Sequence, residues 1–248
     1  MEGGSRRQSW GGDRDNVRVY FTVDVEPDCP PYLTSWRGIE EGLPRLVEML
    51  REERVPATFF TTGEVARRFP AAVRSIVDGP HELGSHGDTH RSFAAMTPDE
   101  AEREIDESSR TLRAFGAVTS FRAPYLRLPI SCLPILKRHR YALDSSEGRH
   151  KRFRASVHVA DGVVRVPASV TSSTLRWPAA VRDRLFARLK DPVVLFVHPW
   201  EFVDFRSSSL RFDCRFRTGD EALACARSAL RFFVRRGATF GLMRDCAG

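Results

Sequence analysis

Short apolar runs that close on a polar or charged residue recur along this chain, and helix-patterned segments separate them. Residues 17–25 carry Asp24 and are followed by Glu26, while Glu82-Leu83-Gly84-Ser85 runs into His86. Ser120-Phe121 closes on Arg122, and Val193-Val194-Leu195-Phe196-Val197 closes on His198. Short segments of this kind, bounded by turn residues, fit buried strands. Between them, 40–53 places Leu43, Leu46, Val47 and Leu50 on one helical face. Thr97-Pro98-Asp99-Glu100 joins an N-cap Thr to Pro at the first helical position and Glu three residues after the cap, and starts a predicted helix that runs to about Phe115 before Gly116. Further helices are predicted around 71–77, 180–189 and 221–236. Strands are predicted at 57–61, 141–144 and 239–242, with a hairpin across 157–170 that turns at Asp161-Gly162. Alternating strands and helices build a parallel sheet, and parallel α/β barrels gather their chemistry at the strand ends. The expectation is an α/β fold of barrel type, forming one domain over 17–248. The Gly-, Ser- and charge-rich segment 1–16 reads as a flexible lead-in. No internal repeat or linker divides the domain.

The polar strand ends carry a specific chemistry. His86-Gly87-Asp88-Thr89-His90 offers two imidazoles four residues apart, and Thr22-Val23-Asp24-Val25-Glu26 offers two carboxylates of alternate spacing. Two neutral imidazoles and one carboxylate form a recurrent ligand set for a catalytic divalent metal, because they leave a position open for water. Alternate residues of a strand face one side, so Asp24 and Glu26 reach the same cavity. One would bind metal and the other would take a proton from water; at this level the two acids are interchangeable. His198 at the mouth of a buried strand must be hydrogen-bonded or face a cavity. Arg122 at the end of another requires a carboxylate partner, and Asp144 is available to an Arg or an imidazole. The pattern points to metal-assisted hydrolysis.

In their order, these motifs resemble the polysaccharide deacetylases with the NodB-homology domain (carbohydrate esterase family four). The first family motif corresponds to Thr22-Val23-Asp24-Val25-Glu26, the second to His86-Gly87-Asp88-Thr89-His90 and the third to Arg122-Ala123-Pro124-Tyr125. Leu143-Asp144-Ser145 resembles the fourth, and Leu195-Phe196-Val197-His198 the fifth, here extended by Pro199-Trp200-Glu201. The resemblance implies a deformed (β/α) barrel holding one divalent ion, zinc by expectation, with cobalt or nickel as alternatives. It implies Glu26, His86 and His90 as ligands, Asp24 as the base and Arg122 as the group that orients it. It also implies an oxyanion-holding N–H at Tyr125, and His198 as the acid tuned by Asp144. Phe196 and Trp200 are candidate substrate contacts. Two departures stand out: Val25 separates carboxylates that are adjacent in many members, and Gly87 replaces the usual Ser or Thr. The spacing resembles an Asp-x-Glu subgroup that includes intracellular and lipid-linked-sugar deacylases.

The implied activity is removal of an N-acetyl, or N-formyl, group from an amino sugar. The alternatives are a cyclic-amide or ureide hydrolase on the same scaffold and a catalytically silent carbohydrate-binding barrel. The formal charge of +7 reflects an arginine-rich chain whose only lysines are Lys137, Lys151 and Lys190. Its basic cluster at 137–140 and 149–154 lacks regularly interleaved aromatics, which argues against nucleic acid as a partner. Arg138 and Arg152 instead suggest phosphates of a nucleotide- or lipid-linked sugar, with peripheral contact to an anionic membrane. The five scattered cysteines have no metal-knuckle or redox spacing, and Cys29 stands close behind Glu26. Reduced thiols, and no apolar segment behind Arg6-Arg7, give the expectation of a cytoplasmic protein. His81, His139, His150 and His158 carry no ligand spacing and read as surface or loop residues. Oligomeric state leaves no trace in the sequence.

Overall fold

The computed structural model describes residues 17–149 and 156–247. The lead-in 1–16 and most of the second half of the basic cluster therefore lie outside the described residues. The strands are β1 (Arg18–Val25), β2 (Ala57–Thr61), β3 (Glu82–Ser85), β4 (Ser120–Phe121), β5 (Leu143–Asp144), β6 (His158–Ala160), β7 (Val163–Arg165), β8 (Val193–Val197) and β9 (Thr239–Phe240). The helices are α1 (Leu43–Glu53), α2 (Gly63–Arg68), α3 (Pro70–Val77), α4 (Pro98–Arg113), α5 (Leu133–Arg138), α6 (Ala179–Phe186), α7 (Phe212–Arg215) and α8 (Asp220–Arg235). Among the described residues no helix is long and apolar enough to cross a membrane.

The sheet runs β6-β7-β5-β4-β3-β2-β1-β8, with β9 beside the start of β1. Every pairing is parallel except the β6–β7 hairpin, so the strand ends that carry Asp24, His86, Arg122 and His198 open on one side. The path does not close, which makes a curled half-barrel and so the deformed version of the predicted barrel. β1 lies between β2 and β8 in the register Asp24↔Phe60 and Val23↔Val197, and is buried along its length after Arg18. Its burial after Arg18 follows from cover on both faces. One core packs Phe21, Val23, Val25 and Leu195 against Leu46 and Leu50 of α1 and Leu230 and Phe233 of α8. A second packs Phe121 and Leu83 against Ile105 and Leu112 of α4 and Leu136 of α5.

The predicted helix at 40–53 begins instead as a wide turn over Gly38–Gly42, where the Leu43 N–H bonds to the Gly38 carbonyl. Pro44 lacks the N–H that would continue a regular ladder, and a π turn accommodates that loss. A Cβ on Gly42 would lie 2.0 Å from the Pro199 carbonyl oxygen, so this turn presses directly on the segment that follows β8. α4 has the predicted capping box: Glu100 N–H donates to Thr97 Oγ1 at 3.3 Å, and Thr97 N–H donates to the Glu100 carboxylate at 2.9 Å. It ends at Arg113, earlier than predicted, because Phe115 N–H bonds to Leu112 three residues back and tightens the last turn. Thr97→Ala is expected to cost about 1 kcal/mol, read as a lower urea midpoint at unchanged slope. His81 is buried rather than superficial, its ring edge-on to Phe59 and its Nδ1 accepting from Ala57 N–H at 3.2 Å.

Candidate active site

At the open strand ends lies a cavity of about 580 Å³. Asp24 and Glu26 reach it from β1, His86 and His90 from the loop after β3, and Tyr125 from the turn after β4. Phe196, His198 and Trp200 line it from β8 and the turn beyond. Val25 points the other way into the core, as the strand period requires. The intervening residue thus leaves both acids in one cavity.

The loop bearing the histidines is held from outside. Glu104 of α4 accepts the Asp88 N–H at 2.9 Å and also takes the Thr89 N–H and hydroxyl, while Arg67 grips both Asp88 oxygens at 2.7 and 2.8 Å. Gly87 has φ of 77°, a conformation that disfavours a side chain, which accounts for glycine at this position. His90 itself sits at φ of 59° and turns its ring back beside His86, with the two centroids 5.3 Å apart. A strained non-glycine residue persists where its surroundings over-determine it.

Glu26, His86 and His90 form a buried set whose candidate ligand atoms lie within 4.8 Å of one another. His86 Nδ1 donates to the Arg122 carbonyl at 2.7 Å, so in the neutral ring the Nε2 lone pair faces inward. It faces Glu26 Oε2 at 3.3 Å, an arrangement of two acceptors that a cation between them satisfies. His90 Nε2 lies 2.6 Å from the same oxygen, and its Nδ1 is buried with no hydrogen-bond partner among the described residues. The donor set fits a divalent ion. Burial pushes the Glu26 carboxyl up, but the surrounding His90, His198 and His86 rings outweigh burial and hold it well below the usual carboxylate range.

Asp24 is held differently. Arg122, fully buried, donates through Nη1 to Asp24 Oδ1 and to Thr22 Oγ1, both at 2.7 Å. Its other nitrogens bond to the Ser145 carbonyl and hydroxyl, and its plane lies 4.3 Å from the Phe60 ring centroid. The guanidinium is immobilised from behind, which fixes the carboxylate at the cavity wall. On the far side of Glu26, His198 Nε2 lies 3.8 Å from Oε1, and His198 Nδ1 is 2.8 Å from Glu201. Glu201 also accepts the His198 N–H at 3.0 Å and is paired with Arg176 at 2.9 Å. Burial pulls the His198 pKa down, but the Glu26, Glu201 and Asp24 carboxylates lift it to about 9. Burial likewise pushes Glu201 up, but Arg176 and His198 bring it below its ordinary value.

A buried His/His/Glu set, a carboxylate clamped by Arg and an imidazole clamped by Glu follow one another in the order of the polysaccharide deacetylase motifs. Residues 11–143 match the family model "Polysaccharide deacetylase". The chain belongs to the polysaccharide deacetylase family. It is 30% identical over 143 residues to a peptidoglycan deacetylase of Helicobacter pylori, covering 56% of this chain and 48% of that protein. Over 110 residues it is 34% identical to a chitooligosaccharide deacetylase of Sinorhizobium fredii, covering 43% of this chain and 46% of that protein. The chain thus aligns with about half the length of these curated relatives. A crystal structure from Mycobacterium smegmatis, of a protein assigned to the polysaccharide deacetylases, superposes with a TM-score of 0.70 at 22% identity, covering 95% of this chain and 90% of that one. That likeness bears on the fold.

Within this deacetylase-family chain, several residues sit away from their expected positions. Asp144 does not meet His198. It is fully buried on β5, where the register places it opposite Arg165 of β7; Arg165 Nε donates to it at 2.8 Å and Ser146 Oγ bonds to its other oxygen. Glu201, three residues beyond His198, occupies the place expected for Asp144. The sequence signal was Pro199 followed by Glu201, the pattern of a capped turn. Arg176 gave no signal, because its partner lies on a different segment. Trp200 is buried, stacked on His198 at 5.0 Å, and its Nε1–H donates to Glu26 at 3.3 Å. Its face and N–H are therefore engaged by the site itself. The exposed rings at the rim are Tyr125 and Tyr32, of which Tyr32 was not anticipated. In the basic cluster, Arg138 and His139 pair with Glu102, and neither lines the cavity; Arg152 lies outside the described residues.

Proposed function

We propose that this chain hydrolyses the N-acetyl group of an amino sugar, with a divalent ion, zinc by preference, held by Glu26, His86 and His90. The observation that carries the reading is the unlike treatment of the two groups beside that set: Asp24 is tied to a buried cation and His198 to a buried anion. A bound ion there would polarise the acyl carbonyl and ease the ionisation of water. Asp24 then accepts the proton of the attacking water at its free oxygen, with Arg122 fixing the other. His198, cationic because three carboxylates surround it, donates from Nε2 to the departing amine while Glu201 holds the Nδ1 proton. The main-chain N–H at Tyr125, in a left-handed turn at φ of 60°, is the oxyanion donor in this scheme. Phe196, edge-on to His198 at 5.6 Å, walls the acyl end, and Tyr32 and Tyr125 present exposed rings to the sugar.

The names of the relatives support an amino-sugar substrate. We assign to this chain a sugar linked to a nucleotide or a polyprenyl phosphate, taken up in the cytoplasm at or near an anionic membrane face. The net positive charge and five unpaired thiols support that setting. Acetate release from the zinc-loaded chain, measured across nucleotide-linked and lipid-linked N-acetyl sugars, chitooligosaccharides and peptidoglycan fragments, tests the assignment. Phosphate-linked sugars are expected to be cleaved fastest; turnover confined to the glycan polymers overturns that substrate. A chelator is expected to abolish release and added zinc to restore it. Undiminished release in chelator overturns the metal.

A further inference from the structure

Two cysteines, 185 positions apart in the chain by their numbers, meet in the wall of the catalytic cavity. Cys29 follows β1 in the turn that closes with a Tyr32 N–H to Cys29 carbonyl bond of 3.0 Å. Cys214 belongs to α7. Both line the cavity and pack in one small apolar cluster with Trp200, Val203 and Leu210. Packed in that cluster, each thiol shifts the other: Cys214 and burial push the Cys29 thiol up, and Cys29 pulls the Cys214 thiol down. Among the described residues these are the two cysteines that line this cavity; Cys132, Cys225 and Cys246 are buried elsewhere. The backbone at each cysteine is also joined to the candidate site. Cys29 stands three residues after Glu26, and the Cys214 carbonyl accepts from Arg176 Nη1 at 3.2 Å, the same arginine that holds Glu201 and thereby His198.

We propose that Cys29 and Cys214 form a reversible redox modification site that takes hydrogen peroxide from the cavity and closes to a disulfide. The Cys214 thiolate attacks a peroxide oxygen: an S–O bond forms, the O–O bond breaks, and hydroxide leaves and takes up the proton that Cys214 lost. The Cys29 sulfur then attacks the sulfenic sulfur; the S–S bond forms, the S–O bond breaks, and the Cys29 proton leaves with that oxygen as water. Two thiols are oxidised by two electrons and one peroxide is reduced to two waters. The influence of each thiol on the other lowers the Cys214 pKa and raises that of Cys29, which matches an attacking and a resolving thiol. The bond ties α7 to the turn behind Glu26 and shifts the Arg176–Glu201 support of His198. This functional half rests on the deacylase reading above; the cross-link itself does not.

The test is peptide mapping by mass spectrometry of the full chain after hydrogen peroxide and alkylation, with acetate release measured in parallel. A Cys29–Cys214 peptide two hydrogens lighter, undone by dithiothreitol, is expected, and Cys29→Ser is expected to leave a dimedone-reactive sulfenic acid at Cys214. Release is expected to be lost on cross-linking and regained on reduction, whereas a Cys29→Ser, Cys214→Ser double variant resists the same treatment. Absence of that peptide, or equal cross-linking of Cys132, Cys225 or Cys246, overturns the site whatever the chain turns over. Unchanged release in the cross-linked chain, or equal loss in the double variant, overturns its coupling to the reaction.

Discussion

Asp24→Asn is expected to lower kcat for acyl release by about 10²–10⁴, the range typical for loss of a positioned general base, while KM stays within a few-fold. Asn keeps the shape and an oxygen that can accept from Arg122 Nη1, so the substitution removes the basic charge with little change in packing. Arg122 also retains Thr22, two contacts to Ser145 and the face of Phe60, which limits the cost of leaving its charge unpaired. Steady-state kinetics with a thermal melt separates the outcomes: a normal kcat removes Asp24 from proton transfer, and a collapsed melt marks it as structural. The pH profile adds a second sign. As the proposed acid, His198 acts only while protonated, so activity is expected to fall as pH rises through its pKa. The value of about 9 includes the full attraction of Glu26. A bound cation cancels part of that attraction, so the alkaline limb of the zinc-loaded chain is expected below 9.

Arg176→Met is expected to destabilise the fold by about 3–5 kcal/mol, because it takes the guanidinium from a buried carboxylate that His198 alone then faces. Arg176 and Glu201 are both almost fully buried, and Arg176 additionally donates to the Asp213, Cys214 and Phe216 carbonyls. Urea unfolding measures the loss. Adding Glu201→Gln to Arg176→Met is expected to recover part of it, since the orphaned charge is gone while the three carbonyls remain unpaired. Strict additivity of the two substitutions would show that the pair does not interact. Glu201→Gln alone is expected to move the alkaline limb of activity downward, because the imidazole loses one of the anions that raise its pKa.

The elements that were legible in the sequence are those decided locally. β2 and β8 follow from short runs of apolar and β-forming residues, and the start of α4 follows from Thr97, Pro98 and Glu100. The Asp161-Gly162 turn supplies two positive φ values, 50° and 77°, and so closes the β6–β7 hairpin. The same local logic places Asp24 and Glu26 on one side of β1. What was not legible depends on partners far along the chain. Asp144 is claimed by Arg165 through the β5–β7 register, which no periodicity in either segment encodes. Arg176 reaches Glu201 only because the turn after Thr171 packs against the segment after β8. Trp200 reads as a sugar platform until His198 covers its face. α5 and the π turn before α1 both stand next to a proline, where propensity alone leaves the backbone path open.

The division of labour between the two acids of β1 is the centre of this account. Zinc stoichiometry of the wild type, Glu26→Gln and Asp24→Asn, measured by elemental analysis after equilibrium dialysis, addresses it directly. Near-stoichiometric zinc in the wild type and Asp24→Asn, with at least a roughly tenfold weaker hold in Glu26→Gln, is the expected result. Zinc retained by Glu26→Gln and lost from Asp24→Asn would contradict it, exchanging ligand and base.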